Sequence, residues 1–238
     1  MNMNKFLVLI IFSLVVPFAI SRAQEVDILW QGDVYTPPFY EGGAHWTNEA
    51  EITILAIPHI PGPGGALLNP NTLVYKWWKN SVVLGTVNGV GKNSITFTGP
   101  IITRPQVIKV EILTTDGALL ASATREFAPR PTKLLVYEDN PLYGMMFHKE
   151  VSSTYSMNSQ EIKLVSYPLF FSSDSRDPGF LGYVWRTTAG STEGSGTVTY
   201  RIPEGSSGTA KITLRASNEN KILQSGEKSF TLKFENDR

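Results

Sequence analysis

Two acidic stretches are the first places to look for chemistry, "YEDN" (137–140) and "DSRDPG" (174–179). Calcium takes several oxygen ligands from one loop, and Glu138, Asp139, Asp174 and Asp177 would supply carboxylates. Neither stretch sets them at the alternate positions of a known calcium loop, so solvated turns are expected, with Asp174 and Asp177 the first ligands to test. His45, His59 and His148 each stand alone, without the i, i+4 partner of a helical zinc site. "GTVNGVGKN" (85–93) has the glycines of a phosphate-cradling loop. However, Thr86 stands where the first glycine belongs, and Asn93 where a Ser or Thr is needed. It reads instead as a hairpin turn built on Asn88-Gly89. The chain has no cysteine and no Gly-x-Ser-x-Gly elbow, so no patterned nucleophile is displayed. The expectation is a non-enzymatic chain that takes no cofactor and no metal.

Aromatic residues are the other candidates, as contact surfaces. In "YKWWKN" (75–80), alternation sends Trp78 to the opposite face from Trp77. An outward indole needs cover, either from the loop 59–74 or from the other domain; uncovered, it is a docking surface. Tyr35, Phe39, Tyr40 and Trp46 precede one strand block, and Tyr143, Met145, Met146 and Phe147 precede another. Their double occurrence points to core closure; were they exposed, they would be a partner site. Trp78, Tyr40, Trp46 and Phe147 are the partner-binding candidates. A carbohydrate- or polymer-binding module would set Trp78 beside Trp46 or Tyr40 on one flat face.

The elements that must position these residues are written twice. "EITILAIP" (51–58) matches "EIKLVSYP" (161–168), and Tyr75/Trp77 match Tyr183/Trp185. "SITFTGP" (94–100) then matches "TVTYRIP" (197–203), "KVEI" (109–112) matches "KITL" (211–214), and Phe127 matches Phe230. The offset changes only between blocks, where loops tolerate insertion. Inside a block the side chains alternate with period two: Ile95 and Phe97 oppose Ser94, Thr96 and Thr98. The blocks are therefore strands, and no stretch after residue 23 sustains a helical period. Tyr75 with Trp77, and Tyr183 with Trp185, are each predicted to fill the centre of a core. The prolines of "APRPT" (128–132) make a stiff linker, with the boundary near Arg130.

Lys5, the apolar run Phe6 to Ile20 and the small residues Ser21 and Ala23 read as a secretory signal peptide, 1–23. The run falls short of the roughly 20 residues of a membrane-spanning helix, so membrane attachment is expected only if this segment is retained as an anchor. Domains of 24–130 and 131–238 follow. Lys and Arg total 21 against 21 Asp and Glu, which leaves no field for nucleic acid or an anionic membrane. Without cysteine the domains must hold by packing alone.

Each half resembles a bacterial immunoglobulin-like or polycystic-kidney-disease-like (PKD-like) sandwich. The whole is similar to exported tandem-domain proteins of Parcubacteria-type candidate-phylum bacteria, on "VDILWQGDVYTPPFYEG" (26–42), "YKWWKN", "GKNSITFTG" (91–99), "NPLYGMMF" (140–147) and "NKILQ" (220–224). The resemblance implies an all-β chain of two tandem sandwiches and a periplasmic or surface location; it transfers no site. The expected function is protein contact in the bacterial envelope, with an envelope or surface protein as partner, and open sheet edges are where a partner strand would add. The alternatives are a glycan-binding module and a periplasmic pilus-type chaperone.

Overall fold

The computed structural model describes residues 25–102, 104–157 and 159–234. The expected signal peptide lies outside them. No α-helix occurs among the described residues; three short 3₁₀ turns accompany seventeen strands. The first half contributes β1 (Glu25–Gly32), β2 (Glu51–His59), β3 (Val74–Lys79), β4 (Val82–Val83), β5 (Gly89–Val90), β6 (Ser94–Thr98), β7 (Gln106–Leu113) and β8 (Leu119–Phe127). The second contributes β9 (Lys133–Asn140), β10 (Gly144–Met145), β11 (Thr154–Met157), β12 (Glu161–Leu169), β13 (Leu181–Thr187), β14 (Gly190–Glu193), β15 (Thr197–Arg201), β16 (Gly208–Asn218) and β17 (Lys221–Phe234).

In the first half, a sheet ordered β1-β2-β6 faces one ordered β4-β3-β7-β8, with β5 added on β3. In the second, β10-β9-β12-β15 faces β11-β17-β16-β13-β14. Among the described residues no strand pairing crosses between the halves, and each half encloses its own apolar cluster. The chain is thus two tandem β-sandwiches of immunoglobulin-like strand order, joined across residues 128–132.

The Tyr-x-Trp pairs explain why the two cores agree. Period two turns both rings of each pair inward, and Tyr75, Trp77, Tyr183 and Trp185 are 0%, 0%, 1% and 1% exposed. Their polar ends meet the same kind of partner in each domain. The Trp77 indole N–H donates to Lys92 O (2.8 Å) and that of Trp185 to Ser195 O (3.1 Å), each two residues before the next matched strand. Tyr75 Oη donates to Pro70 O (3.1 Å) and Tyr183 Oη to Arg176 O (2.6 Å), carbonyls of the loop that leads into the strand. A buried donor must be paired, and these pairings tie loop to core.

The strand register corrects two of the sequence matches. Trp77 pairs with Val110 while Trp185 pairs with Leu214, so Val110 corresponds to Leu214 rather than to Ile212. Following the next ladder, Arg125, opposite Ile108, corresponds to Phe230, opposite Ile212, and Phe127 corresponds to Leu232. A two-residue slip keeps every side chain on its face, so periodicity could not detect it. The turn expected at Asn88-Gly89 is also different. Asn88 is extended (φ −86°, ψ 155°), and its Oδ1 accepts from Trp77 N (2.8 Å), filling a gap in the ladder beside β3. The two-residue turn lies instead at Asn80 and Ser81, with φ of 50° and 69° between β3 and β4.

Truncating either indole removes a large apolar body and leaves a carbonyl without its donor. Trp77→Ala and Trp185→Ala are each expected to destabilise by about 3–5 kcal/mol, read as a lowered urea midpoint. A loss under about 1 kcal/mol would contradict the central role given to the ring.

Candidate functional site

The acidic candidates do not converge. Glu138 and Asp139, adjacent on β9, point to opposite faces. Glu138 Oε2 accepts from Tyr155 Oη (2.5 Å) and Oε1 from Asn140 Nδ2 (2.7 Å), while Asp139 pairs with Lys163 (2.7 Å). Asp174 and Asp177 are exposed on an irregular loop. Among the described residues, no group of three or more His, Asp or Glu is gathered as a metal site would need.

The aromatic candidates divide three ways. Trp46 is 1% exposed and donates its indole N–H to Ala50 O (3.0 Å). It is clasped by two glycines: a Cβ on Gly32 would lie 2.9 Å from the Trp46 backbone, and one on Gly99 2.8 Å from its ring. Trp46 therefore closes the first core and presents nothing to a partner. Trp78 is half-buried on the outer face of β3. Lys76 and Lys109 lie over its ring at 4.8 and 4.9 Å, their stems covering it. Tyr40 and Phe147 serve the contact between domains. The single flat face of Trp78 with Trp46 or Tyr40 is not formed.

That contact is made from the segment 33–50, whose Trp46 and Ala50 stay in the first core while Tyr35, Phe39 and Tyr40 reach the second domain. Tyr35 N donates to Phe171 O (2.7 Å), and Phe170 N returns to Tyr35 O (3.0 Å). Phe39 enters a box of Tyr137, Tyr167 and Phe147, with centroids at 5.1, 5.1 and 4.3 Å. Tyr40 and His45 meet the Phe170 ring edge-on, at 5.7 and 5.1 Å. Gln224, fully buried, donates to Asn48 O (2.8 Å) and accepts from Ser172 N (2.8 Å); Leu223 N donates to Glu49 Oε2 (2.7 Å). Phe170 and Glu49 hold positive φ, 68° and 58°. Such conformations persist only where surrounding contacts over-determine them. The domains are therefore docked, not merely tethered.

This docking leaves a gap. In the second domain, the segment between β10 and β12 forms β11, which runs parallel to β17 and closes its edge: Thr231 N donates to Ser153 O (2.9 Å), and Tyr155 and Met157 turn into the core. In the first domain the matching segment lends Tyr35, Phe39 and Tyr40 to the neighbour and forms no strand on β8. Among the described residues β8 pairs only with β7, and what remains of the closing ladder is Arg130 N to Trp46 O (2.7 Å). Glu126 corresponds to Thr231. Its partner Val107 spends both backbone groups on Asn80 (2.8 and 2.9 Å), so this pair turns its amides outward. The Glu126 N–H, and by alternation that of Thr124, faces the open edge and has no partner among the described residues.

Arg125 occupies this seam. It lies in the inward register between Ala123 and Phe127, where the second domain has buried Phe230, yet it is exposed. Its Nη1 donates to Ile28 O (3.1 Å) across the gap between β8 and β1. Depressions of about 520, 330 and 510 Å³ all share Arg125 as lining; the 330 Å³ one lies beside Glu126 to Ala128, the stretch β11 covers in the other domain. An inward charge on an edge strand discourages indiscriminate sheet pairing. Neither Arg125 nor Glu126 was a candidate from the sequence. The available signal was the arginine interrupting the inward series Ala121, Ala123, Phe127.

No protein-family model and no curated protein matches the chain. Among solved structures it is similar to fibronectin(III)-like modules of CbhA from Clostridium thermocellum, at 12% identity over 89% of this chain and 95% of that one, with a TM-score of 0.32. It is also similar to immunoglobulin domains 1–4 of Sidekick-1, at 14% identity over 78% of this chain and 44% of that one, with a TM-score of 0.26. The fold assignment rests on the strand order and pairing above.

His45 joins the seam to the domain contact, stacking near Trp30 (5.8 Å) as well as Phe170. Burial first, then Arg130 and Lys133, hold its imidazole below the ordinary pKa. The unfolded chain thus takes up a proton that the folded one resists, so stability is full above roughly pH 6.5 and falls as the pH drops below it. The urea midpoint should fall more steeply between about pH 7 and about pH 5 for the wild type than for His45→Gln. Equal slopes would remove His45 from the account.

Proposed function

We propose that this chain is a non-enzymatic, exported protein of the bacterial envelope or surface, acting by protein contact. The contact we assign is a partner strand that adds in parallel along the open edge of β8. One observation carries the reading: the same edge is closed by β11 in the second domain and vacant in the first. The Glu126 and Thr124 amides supply the donors for a ladder, which gives affinity, and the depressions flanking Arg125 receive alternate side chains, which give selectivity. The expected partner segment is extended, with apolar residues at every second position, as Tyr155 and Met157 alternate with Thr154 and Ser156 in β11. The docked second domain keeps 33–50 from folding back to close the edge. Export is supported by the charged, apolar and small-residue order of residues 5–23, and kinship with candidate-phylum tandem-domain proteins by the stretches that carry that resemblance.

Proline lacks the amide donor but is tolerated on an edge strand whose N–H faces outward. Glu126→Pro and Glu126→Ala are therefore the paired test, used as full chains to capture partners from the native envelope. Both variants should melt close to the wild type. The protein captured by wild type and Glu126→Ala should be lost with Glu126→Pro, and amide exchange in the complex should slow at Thr124 to Ala128. Undiminished capture by Glu126→Pro, or protection confined to β6 or β15, would overturn the assignment.

A further inference from the structure

The end of the second sandwich holds a cavity that the β8 edge does not use, its wall mostly apolar with a few polar side chains. Its volume is about 270 Å³, and it opens between β9, the turn 141–143 and β11. Glu138 lies at its base. By register, Glu138 corresponds to Trp30: Trp30 faces Ile54 and Glu138 faces Leu164, and Ile54 and Leu164 are matched residues. The first domain fills this inward position with an indole, so the fold does not require a carboxylate there. Placing an ionised group on the inward face of a strand costs stability unless it is fully paired.

The carboxylate is held rather than free. Tyr155 Oη and Asn140 Nδ2 each take one oxygen, and Asn140 Oδ1 in turn accepts from Leu142 N (2.9 Å), fixing the rim turn. Burial and the neighbouring carboxylate raise the Tyr155 hydroxyl well above its ordinary pKa, so it stays a donor. Lys149 Nζ lies over the Tyr155 ring at 4.5 Å and is in no salt bridge among the described residues. Ser156 and Ser159 add hydroxyls to the wall. On the rim, Leu142 and Tyr143 are large side chains, 84% and 77% exposed.

We propose that this cavity binds one ring of a neutral saccharide. A sugar hydroxyl both donates and accepts, and here one carboxylate, one lysine, one amide and several hydroxyl residues line the same cavity, the carboxylate oxygens keeping lone pairs to accept with. A net cation or anion would meet one matched and one opposed charge. The apolar face of a pyranose then has Tyr143 to lie against, and the cavity's size suits a single ring rather than a longer chain. This site stands apart from the β8 edge, and either can fail without the other.

The test is titration of the full chain with methyl β-glucoside, methyl β-galactoside and N-acetylglucosamine, followed by amide and aromatic NMR shifts, with acetate and ethylammonium as charged probes. At least one neutral sugar should shift Leu142, Tyr143, Ser156 and Ser159 together. Tyr143→Ala, at an exposed position, should leave the melt unchanged and weaken that binding up to about tenfold; Glu138→Gln should weaken it while preserving an acceptor for Tyr155. Shifts at these residues from no neutral sugar, a preference for either charged probe, or binding undiminished by Tyr143→Ala would overturn the proposal.

Discussion

Each sandwich depends on a buried indole whose N–H is spent on the backbone. Trp77 and Trp185 supply the apolar volume that joins two sheets without a disulfide, and their donors to Lys92 O and Ser195 O pin the chain just before it enters the facing sheet. A phenyl ring could fill much of the space. It could not hold the carbonyl, because it has no N–H to donate. This joint of packing and hydrogen bonding lets the loops between strands vary in length while the cores stay alike.

Given two equivalent cores, the difference between the domains lies in a single stretch of chain. After β9, the second domain folds its connecting segment back as β11 and seals β17. After β1, the first domain sends its segment outward, where Tyr35, Phe39 and Tyr40 bury themselves on the neighbour. One strand's worth of backbone cannot do both. The docked arrangement and the open β8 edge are therefore consequences of the same choice, and Arg125 is the residue that makes the opening tolerable. An inward arginine keeps its charge wet in an unsealed seam; beneath a closing strand it would need a partner in the position that Phe230 fills with carbon.

The architecture was legible because strands with one buried face write their period directly into the sequence, and because Tyr-x-Trp recurs at a distance that loops alone could not imitate. The register of β7 against β16 was not legible, since a slip of two conserves every face. Pairing to the two Trp residues decides it. The destination of 33–50 was hidden for a different reason: Tyr35, Phe39 and Tyr40 look the same whether they close their own core or a neighbour's surface, and among them only Trp46 turned inward. The site was less legible still. Backbone amides carry no side-chain signature, so the vacancy on β8 could be seen only by comparing its pairing with that of β17.

Native-state amide exchange on the free protein measures that vacancy most directly, because it reads the hydrogen bonds themselves. The account predicts that Glu126 and Thr124 exchange rapidly while Arg125, turned toward β7, is slow, and that Thr231, bonded to Ser153, is slow in the second domain. Protection of Glu126 equal to that of Thr231 would mean that the edge is already closed, and the central claim would fall.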